Sequence, residues 1–225
     1  LKLKWDLEDE GIIIHQRTVG KILKAKGMTR RYRIRKVHWK YVRIPLTKGE
    51  LVEIDVKFVP DRIRGRRYYQ FTAIDCSTRW RYLEVYDDVS TFNAILFLKK
   101  VISIAWFKIQ AVKTDNGACF TNRYNGYYKS DLPFPREHAF DRACKANGIA
   151  HYLIDPGKPQ QNAFVERSHR EDQEKFYEQT KFKSFGELRY KLKAWNVEYN
   201  NTKHCGLNGL TPNQALRSGV QNVCA

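Results

Sequence analysis

The amino-acid sequence predicts an α/β domain with a mixed five-stranded sheet flanked by helices. Two patterns lead to this fold class. Three strand-like segments follow one another with only turn-length breaks, and the later strand-like segments alternate with helical ones. The first arrangement is typical of hairpins, and the second of parallel strands joined by crossover helices. The 225 residues, 42% of them hydrophobic, suffice for one sizeable domain and at most a small extra module.

The first three predicted strands are rich in aromatic and β-branched side chains, which favour extended structure. They cover residues 51–58, 67–75 and 79–87. In the first strand, apolar and charged residues alternate, so Glu53, Asp55 and Lys57 share one face and the apolar residues share the other. This strand is therefore expected to present one face to the core and one to a polar environment.

The later elements follow as helices and strands in alternation, with two long helices at the end. The predicted helices are 91–106, 139–146, 162–179 and 185–200, and the predicted strands are 109–114 and 149–154. Residues 121–137, which contain Asn, Gly, Asp and two prolines, form a long irregular insertion after the fourth strand. Helices are thus expected on both faces of the sheet.

Positive charge is concentrated near the start of the chain. The net charge is +17, and eleven Lys or Arg but no Asp or Glu lie between residues 17 and 43. Residues 16–26 are predicted to form a helix with Arg17, Lys21 and Lys24 on one side, ended by Gly27. Beyond it, basic residues are interleaved with aromatic ones; the basic positions that we take as candidates are Arg30, Arg31, Arg33, Arg35 and Lys36. Such a run favours a nucleic-acid partner, and a solvated linker is the alternative.

The cysteine pattern and the hydropathy predict an intracellular protein outside the membrane. The cysteines are odd in number and widely spaced, without a Cys-x-x-Cys pair, which is typical of a reducing compartment. They are Cys76, Cys119, Cys144, Cys205 and Cys224. The most apolar stretch is too short to span a bilayer, and the first residues do not resemble a signal peptide. Because the chain begins at Leu1, we expect an upstream segment.

Three acids are candidates for chemistry, although each has an ordinary alternative. Asp55 lies on the polar face of the first strand and could simply face water. Asp115 lies in Asp-Asn-Gly after the fourth strand, where open α/β sheets place ligand sites but where turns are also common. Glu166 lies one turn into a predicted helix, where a surface ion pair with Arg170 would be routine.

Taken together, these acids resemble the Asp-Asp-Glu active site of insertion-sequence transposases and retroviral integrases. Five stretches carry the resemblance in the right order. They are residues 52–55 (VEID), 73–79 (AIDCSTR), 113–117 (KTDNG), 156–167 (PGKPQQNAFVER) and 199–212, which includes Tyr-Asn-Asn, His204, Leu207 and Leu-Thr-Pro. The resemblance implies a ribonuclease H-like fold, in agreement with the order of strands and helices.

The resemblance also implies an enzyme that cuts and joins DNA by phosphoryl transfer. Asp55, Asp115 and Glu166 would be both catalytic residues and ligands of two Mg²⁺ or Mn²⁺ ions when DNA is bound, with Asp55 bridging both ions. Water would free a 3′-hydroxyl at the end of the mobile element, and that hydroxyl would attack target DNA. Lys158, Arg167 and Arg170 could hold phosphates. Glu53 and Asp75 are acids on core strands that do not match the three-acid pattern.

The domains expected from the resemblance are a partial helix-turn-helix with a basic linker (1–44), the catalytic core (45–200) and a closing segment (201–225). The first helix of the helix-turn-helix is expected to be absent or poorly formed. The implied partners are double-stranded DNA and further copies of the chain assembled on it, with no membrane partner, in the nucleoid-associated cytoplasm of a bacterium.

Two departures from retroviral integrases are evident. Fifty residues separate Asp115 from Glu166, a long spacing that the 121–137 insertion explains, and the paired His and Cys residues of the viral zinc module are missing. Both place the chain closer to the bacterial insertion-sequence branch. The alternatives are a ribonuclease H-like nuclease and a non-catalytic DNA-binding protein derived from a transposase.

Overall fold

The predicted five-stranded mixed sheet is present in the structure, a computed structural model that describes residues 2–29, 45–123 and 137–218. The strands are β1 (Val52–Phe58), β2 (Tyr69–Asp75), β3 (Arg81–Tyr86), β4 (Ala111–Thr114) and β5 (Ala150–Leu153). They lie in the order β3-β2-β1-β4-β5. Each strand falls within the segment that the sequence predicts for it.

The two halves of the sheet differ in direction as expected. β1 pairs antiparallel with β2, and β2 pairs antiparallel with β3. β4 pairs parallel with both β1 and β5, and Ile54 of β1 lies beside Thr114 of β4. The hairpins and the crossover connections therefore meet at β1, in the centre of the sheet.

Helices cover both faces of the sheet. They are α1 (Lys2–Asp9), α2 (Gln16–Ala25), α3 (Thr91–Ile104), α4 (Ala139–Ala146), α5 (Ala163–Asp172), α6 (Phe185–Asn201) and α7 (Pro212–Ser218). The main core contains apolar residues of β1, β2, α3 and α4, such as Ile54 and Phe97. Residues of α5 and α6, such as Val165 and Leu192, pack in separate clusters on the opposite face. In the described part of the chain, no helix is long and apolar enough to cross a membrane.

The prediction of one continuous helix over residues 162–179 is wrong in detail. A 3₁₀ turn, Pro159–Asn162, precedes α5, and a π-helical turn, Gln173–Tyr177, follows it. The π turn is wider than an α turn, and both Phe176 and Tyr177 are buried there although they are consecutive. Apolar periodicity cannot signal such a turn, because it assumes a constant 3.6 residues per turn.

The expectation that no good helix precedes the basic helix is also wrong, because α1 is formed. Its sequence is polar and none of its residues is buried, so periodicity does not reveal it. Contacts elsewhere stabilise it: Gly209, at φ +88°, lies so close to the Trp5 ring that an added Cβ would be 2.9 Å from it. Lys203 also forms an ion pair with Asp9.

The basic helix itself agrees with its prediction. α2 ends at Ala25, and Gly27 adopts φ +67° just beyond it. At the predicted boundary between the catalytic core and the closing segment, α6 continues through Asn201, one residue past the predicted end of the core. The basic linker, with Arg30, Arg31, Arg33, Arg35 and Lys36, lies outside the described residues, and so does most of the 121–137 insertion.

Candidate active site

Asp55 and Asp115 lie side by side at the centre of the sheet. Ile54 pairs with Thr114 in the parallel ladder of β1 and β4, so the two acids are the next residues along neighbouring strands. Neighbouring strands are about 4.8 Å apart. Asp115 Oδ1 accepts a hydrogen bond from the Gly117 N–H at 3.0 Å, and a Cβ on Gly117 would lie 3.0 Å from that oxygen. Glycine in the Asp-Asn-Gly sequence therefore allows the close turn after β4.

The Asp55 carboxyl is in an unfavourable environment for a negative charge. Its side chain is 19% exposed. Burial raises its pKa to about 7, and the negative charges of Asp115, Glu166 and Glu53 add to the effect, while a hydrogen bond from the Val56 N–H opposes it. Within the described part of the chain, neither Asp55 nor Asp115 forms an ion pair with a lysine or arginine. The pair of acids thus has excess negative charge to offer to a cation.

Glu166 lies in the first turn of α5, and its side chain is exposed. Burial and the nearby Glu53 raise its pKa, while Arg170 lowers it. Among the described residues, no group of three or more His, Cys, Asp or Glu side chains is placed to hold a metal ion. The structure therefore brings Asp55 and Asp115 together and leaves Glu166 at the edge of the site.

Glu53 fixes the start of the helix that carries Glu166. Glu53 is 1% exposed, and its Oε2 accepts hydrogen bonds from the backbone N–H groups of Phe164 and Val165, both at 2.9 Å. Its Oε1 pairs with Lys113 at 3.1 Å. A carboxylate at a helix N-terminus satisfies otherwise unpaired N–H groups and interacts favourably with the helix dipole. Glu53 is thus a structural acid that links β1 to α5.

Asp75 is likewise committed to the backbone. It is buried and accepts hydrogen bonds from the Gly49 N–H at 2.9 Å and from both the N–H and the hydroxyl of Thr78 at 2.7 Å. These contacts close the tight connection from β2 to β3. The sequence placed Asp75 outside the three-acid pattern, and the geometry gives it this separate role.

His169 contacts Asp55 through a ring whose proton position can be deduced. Gln70 Nε2 donates to Asp172 Oδ2 at 2.7 Å and to Thr72 Oγ1 at 3.0 Å, which leaves the Thr72 hydroxyl proton for His169 Nε2 at 2.9 Å. His169 then carries its proton on Nδ1, which lies 3.5 Å from Asp55 Oδ2. Burial lowers the pKa of His169 to about 3, so the ring is neutral. The ring directs its Nδ1–H towards the Asp55 carboxyl but, being neutral, does not balance the charge of that carboxyl.

Comparison with known proteins decides the family. Residues 46–159, slightly more than half of the chain, match a family model described as "Integrase core domain", and residues 147–212 match another with the same description. The chain belongs to the integrase core domain family. Both the fold class and the resemblance derived from the sequence are thereby confirmed.

Curated relatives of this integrase core include a viral and an insertion-element protein. It is 31% identical over 193 residues to "Putative integrase ORF3" of Spiroplasma virus SpV1-C74, an alignment that covers 83% of the chain and 52% of the relative. It is 26% identical over 215 residues to the "Insertion element IS407 uncharacterized 31.7 kDa protein" of Burkholderia multivorans, covering 92% and 71%. The chain thus spans about half the length of the viral relative.

Solved structures share the fold of this integrase core. A chain of the simian T-cell lymphotropic virus intasome has a TM-score of 0.63 at 15% identity, covering 95% of the chain and 70% of its own. The catalytic core domain of HTLV-2 integrase, solved in complex with magnesium, has a TM-score of 0.57 at 15% identity, covering 77% and 99%. At these identities, the likeness establishes the ribonuclease H-like fold.

The predicted DNA-contacting residues of the integrase core remain accessible where they are described. Arg17, Lys21 and Lys24 are exposed on α2, and Arg167 and Arg170 are exposed on α5. Lys158 is exposed as well, and it pairs with Asp155 at 2.8 Å.

The sequence interpretation missed a basic turn between β1 and β2. The run Arg-Ile-Arg-Gly-Arg-Arg, residues 62–67, is a signal of positive charge in the sequence itself, although it is short and lies between two strands.

Proposed function

We propose that this integrase core is the catalytic part of a transposase or integrase that moves an insertion element by cutting and joining DNA strands. The observation that carries the proposal is the pair Asp55 and Asp115, adjacent at the ends of parallel β1 and β4 and not neutralised by any described lysine or arginine. Names of relatives, a putative integrase and an insertion-element protein, support the same function. We place the protein in the nucleoid-associated cytoplasm of a bacterium.

Two Mg²⁺ or Mn²⁺ ions fit the chemistry of this site. Carboxylate oxygens are the ligands these ions prefer, and a cation would offset the burial and the carboxylate repulsion that together raise the pKa of Asp55. Asp55, Asp115 and Glu166 would hold the ions, which when bound supply positive charge at the attacking and leaving oxygens. The HTLV-2 integrase core was solved with magnesium, in support of a divalent ion in this family.

The chain's own residues would hold the acids in place and bind the DNA. Asp55 and Asp115 are held by backbone N–H groups, at 2.8 and 3.0 Å respectively, so both present fixed oxygens. Glu166 is exposed on α5 and would be the third acid of the site. Arg167, Arg170, Lys158 and the α2 cations would contact phosphates of double-stranded DNA. Assembly of several copies on DNA agrees with the intasome neighbour.

The test is strand joining by Asp55→Asn, Asp115→Asn and Glu166→Gln. Each change removes a metal-binding charge and should lower the joining rate by at least about 1,000-fold while DNA affinity is retained or increased. Mg²⁺ should raise the melting temperature of the wild type and much less that of Asp55→Asn. Glu198→Gln, an exposed acid on α6, is the matched control.

Three outcomes are informative here. Joining by Asp115→Asn at the wild-type rate would defeat the assignment. Cleavage confined to RNA–DNA hybrids would favour the ribonuclease H-like nuclease, and DNA binding without any metal-dependent chemistry would favour the non-catalytic protein.

A further inference from the structure

The turn between β1 and β2 carries a dense patch of positive charge. Four arginines lie within six residues, and all four are exposed: Arg62, Arg64, Arg66 and Arg67. The nearby acid, Asp61, is already paired with Lys181 at 2.7 Å. We call residues 59–68 the basic hairpin. Such an excess of like charge without acids to balance it is typical of a surface that meets a polyanion.

The basic hairpin is held rigidly at its base. Val59 N–H donates to the Tyr68 carbonyl at 2.9 Å, and Ile63 and Arg66 exchange two backbone hydrogen bonds at 3.0 Å. Val59 and Ile63 are buried, and the Tyr68 ring is stacked on Phe185 of α6 at 4.7 Å. The arginines are therefore presented from a fixed backbone, which reduces the entropy lost on binding.

The tip of the basic hairpin has a residue that the turn does not favour. Arg64 has φ +51° and Gly65 has φ +77°, between the bridged residues Ile63 and Arg66. A two-residue turn with both φ values positive strongly prefers Asn, Asp or Gly at its first position. Arginine is a poor choice there for stability, and strained residues of this kind concentrate at functional sites.

The basic hairpin follows the end of the strand that carries Asp55. β1 ends at Phe58 and residues 60–61 form a bend, so the seven residues from Asp55 to Arg62 span less than the roughly 23 Å of a fully extended chain. Duplex DNA rises about 3.4 Å per base pair, so the hairpin lies within about seven base pairs of Asp55 along a duplex. Beside the hairpin, Phe58 is exposed and the Arg67 guanidinium lies over its ring, 5.2 Å from the centroid.

We propose that the basic hairpin binds the phosphate backbone of duplex DNA within about seven base pairs of the phosphate that reacts at Asp55. Arg64 occupies the strained tip because its guanidinium contacts a phosphate there. This proposal rests on the proposed function, because that function identifies the DNA as either the end of the element or the target. Neither the sequence resemblance nor the relatives assign a role to these arginines.

The decisive variant is Arg64→Asn, because its two expected effects have opposite signs. Asparagine suits the turn, so the melting temperature should rise by about 2 °C or more. Loss of one phosphate contact should weaken DNA binding and lower the slope of log K against log salt by about 0.9. Fluorescence anisotropy of labelled element-end and target duplexes, over a range of salt concentrations, measures the second effect and shows which duplex is held.

A four-residue variant enlarges the effect and has a matched control. Replacing Arg62, Arg64, Arg66 and Arg67 by Gln should reduce the salt slope by about 3 to 4. The control replaces four exposed lysines elsewhere by Gln: Lys99, Lys108, Lys145 and Lys193. An equal loss of salt slope in the four-arginine variant and the four-lysine control would show that only net charge matters and would contradict the proposal. Unchanged DNA binding in Arg64→Asn would overturn it as well.

Ethylation interference tests the placement independently of activity. A set of modified phosphates within about seven base pairs of the reacting phosphate should weaken binding of the wild type and should not affect the four-residue variant. Interference that stays unchanged in the variant contradicts the proposal. Asp115→Asn retains the hairpin, so its DNA binding and its interference pattern test this proposal without requiring strand joining. A failure of this proposal can therefore be distinguished from a failure of the proposed catalytic function.

Discussion

Two groups of buried or partly buried charges lie near α5, one around Asp172 and one around Asp55. They differ in whether a neighbouring positive charge balances the carboxylate. Asp172, on α5, accepts hydrogen bonds from Arg81, Trp195 and Gln70, each at 2.7 Å. Arg81 and Asp172 are both 0% exposed, and the Arg81 guanidinium lies over the Tyr199 ring at 3.6 Å. Asp55, by contrast, receives a backbone hydrogen bond and has other acids as neighbours.

The contrast separates a charge used for structure from one kept for function. Arg81 also donates to Ser168 at 2.7 Å, so it binds α5 at two positions and fixes that helix on the sheet. The charge of Asp172 is balanced inside the protein. In the described part of the chain, no lysine or arginine pairs with Asp55; its carboxyl meets the Val56 N–H at 2.8 Å and the His169 ring at 3.5 Å. A carboxylate with a perturbed pKa in such a setting is a functional candidate on physical grounds.

Breaking the balanced pair should have the largest effect on stability. Arg81→Met or Asp172→Asn leaves its partner buried without its counter-charge and should lower the free energy of unfolding by about 3 to 5 kcal/mol. Urea denaturation measures it, with the exposed Asp87→Asn as control. The double variant Arg81→Met/Asp172→Asn should lose less than the sum of the two single changes. Strictly additive losses would show that the two charges are not coupled.

Relieving the unbalanced acid should have an effect of the opposite sign. The pKa of Asp55 is raised in the folded protein, so the stability that its protonated form contributes is present at acid pH and is lost as pH rises from about 4 through about 7. Asp55→Asn removes this loss. At pH 8 the variant should be more stable than the wild type by about 2 to 4 kcal/mol, with the gain disappearing near pH 4.

Urea denaturation at both pH values measures this difference. The exposed Asp87→Asn should show no such pH dependence. An Asp55→Asn protein that is less stable than the wild type at pH 8 would contradict the electrostatic account of the site.

The smallest effect is expected at Glu53, which links the two regions. Glu53→Gln weakens the hydrogen bonds to the first N–H groups of α5 and removes the ion pair with Lys113, for a loss of about 1 to 2 kcal/mol. Hydrogen exchange at the amides of Phe164 and Val165 should accelerate, while Glu198→Gln leaves it unchanged. Unaltered exchange at those two amides would exclude the capping role.

The sequence predicted what depends on local pattern. Alternation along β1 placed Asp55 opposite the core face, and the Asp-Asn-Gly turn placed Asp115 at the end of β4. Pattern does not reveal partners that are distant in the chain, such as Arg81 and Asp172. It also missed α1, whose contacts come from Gly209 and Lys203. The proximity of Asp55 and Asp115 could be inferred only through the family resemblance, which supplied the strand order.

The Glu53 cap makes the position of the third acid independent of the length of chain between Asp115 and Glu166. The same strand that presents Asp55 also sets where the Glu166 helix begins, through a carboxylate two residues earlier. Lengthening or shortening the connection between Asp115 and Glu166 would therefore leave the start of α5 fixed relative to Asp55. One strand, and not the length of the intervening chain, sets the register between the first and the third acid.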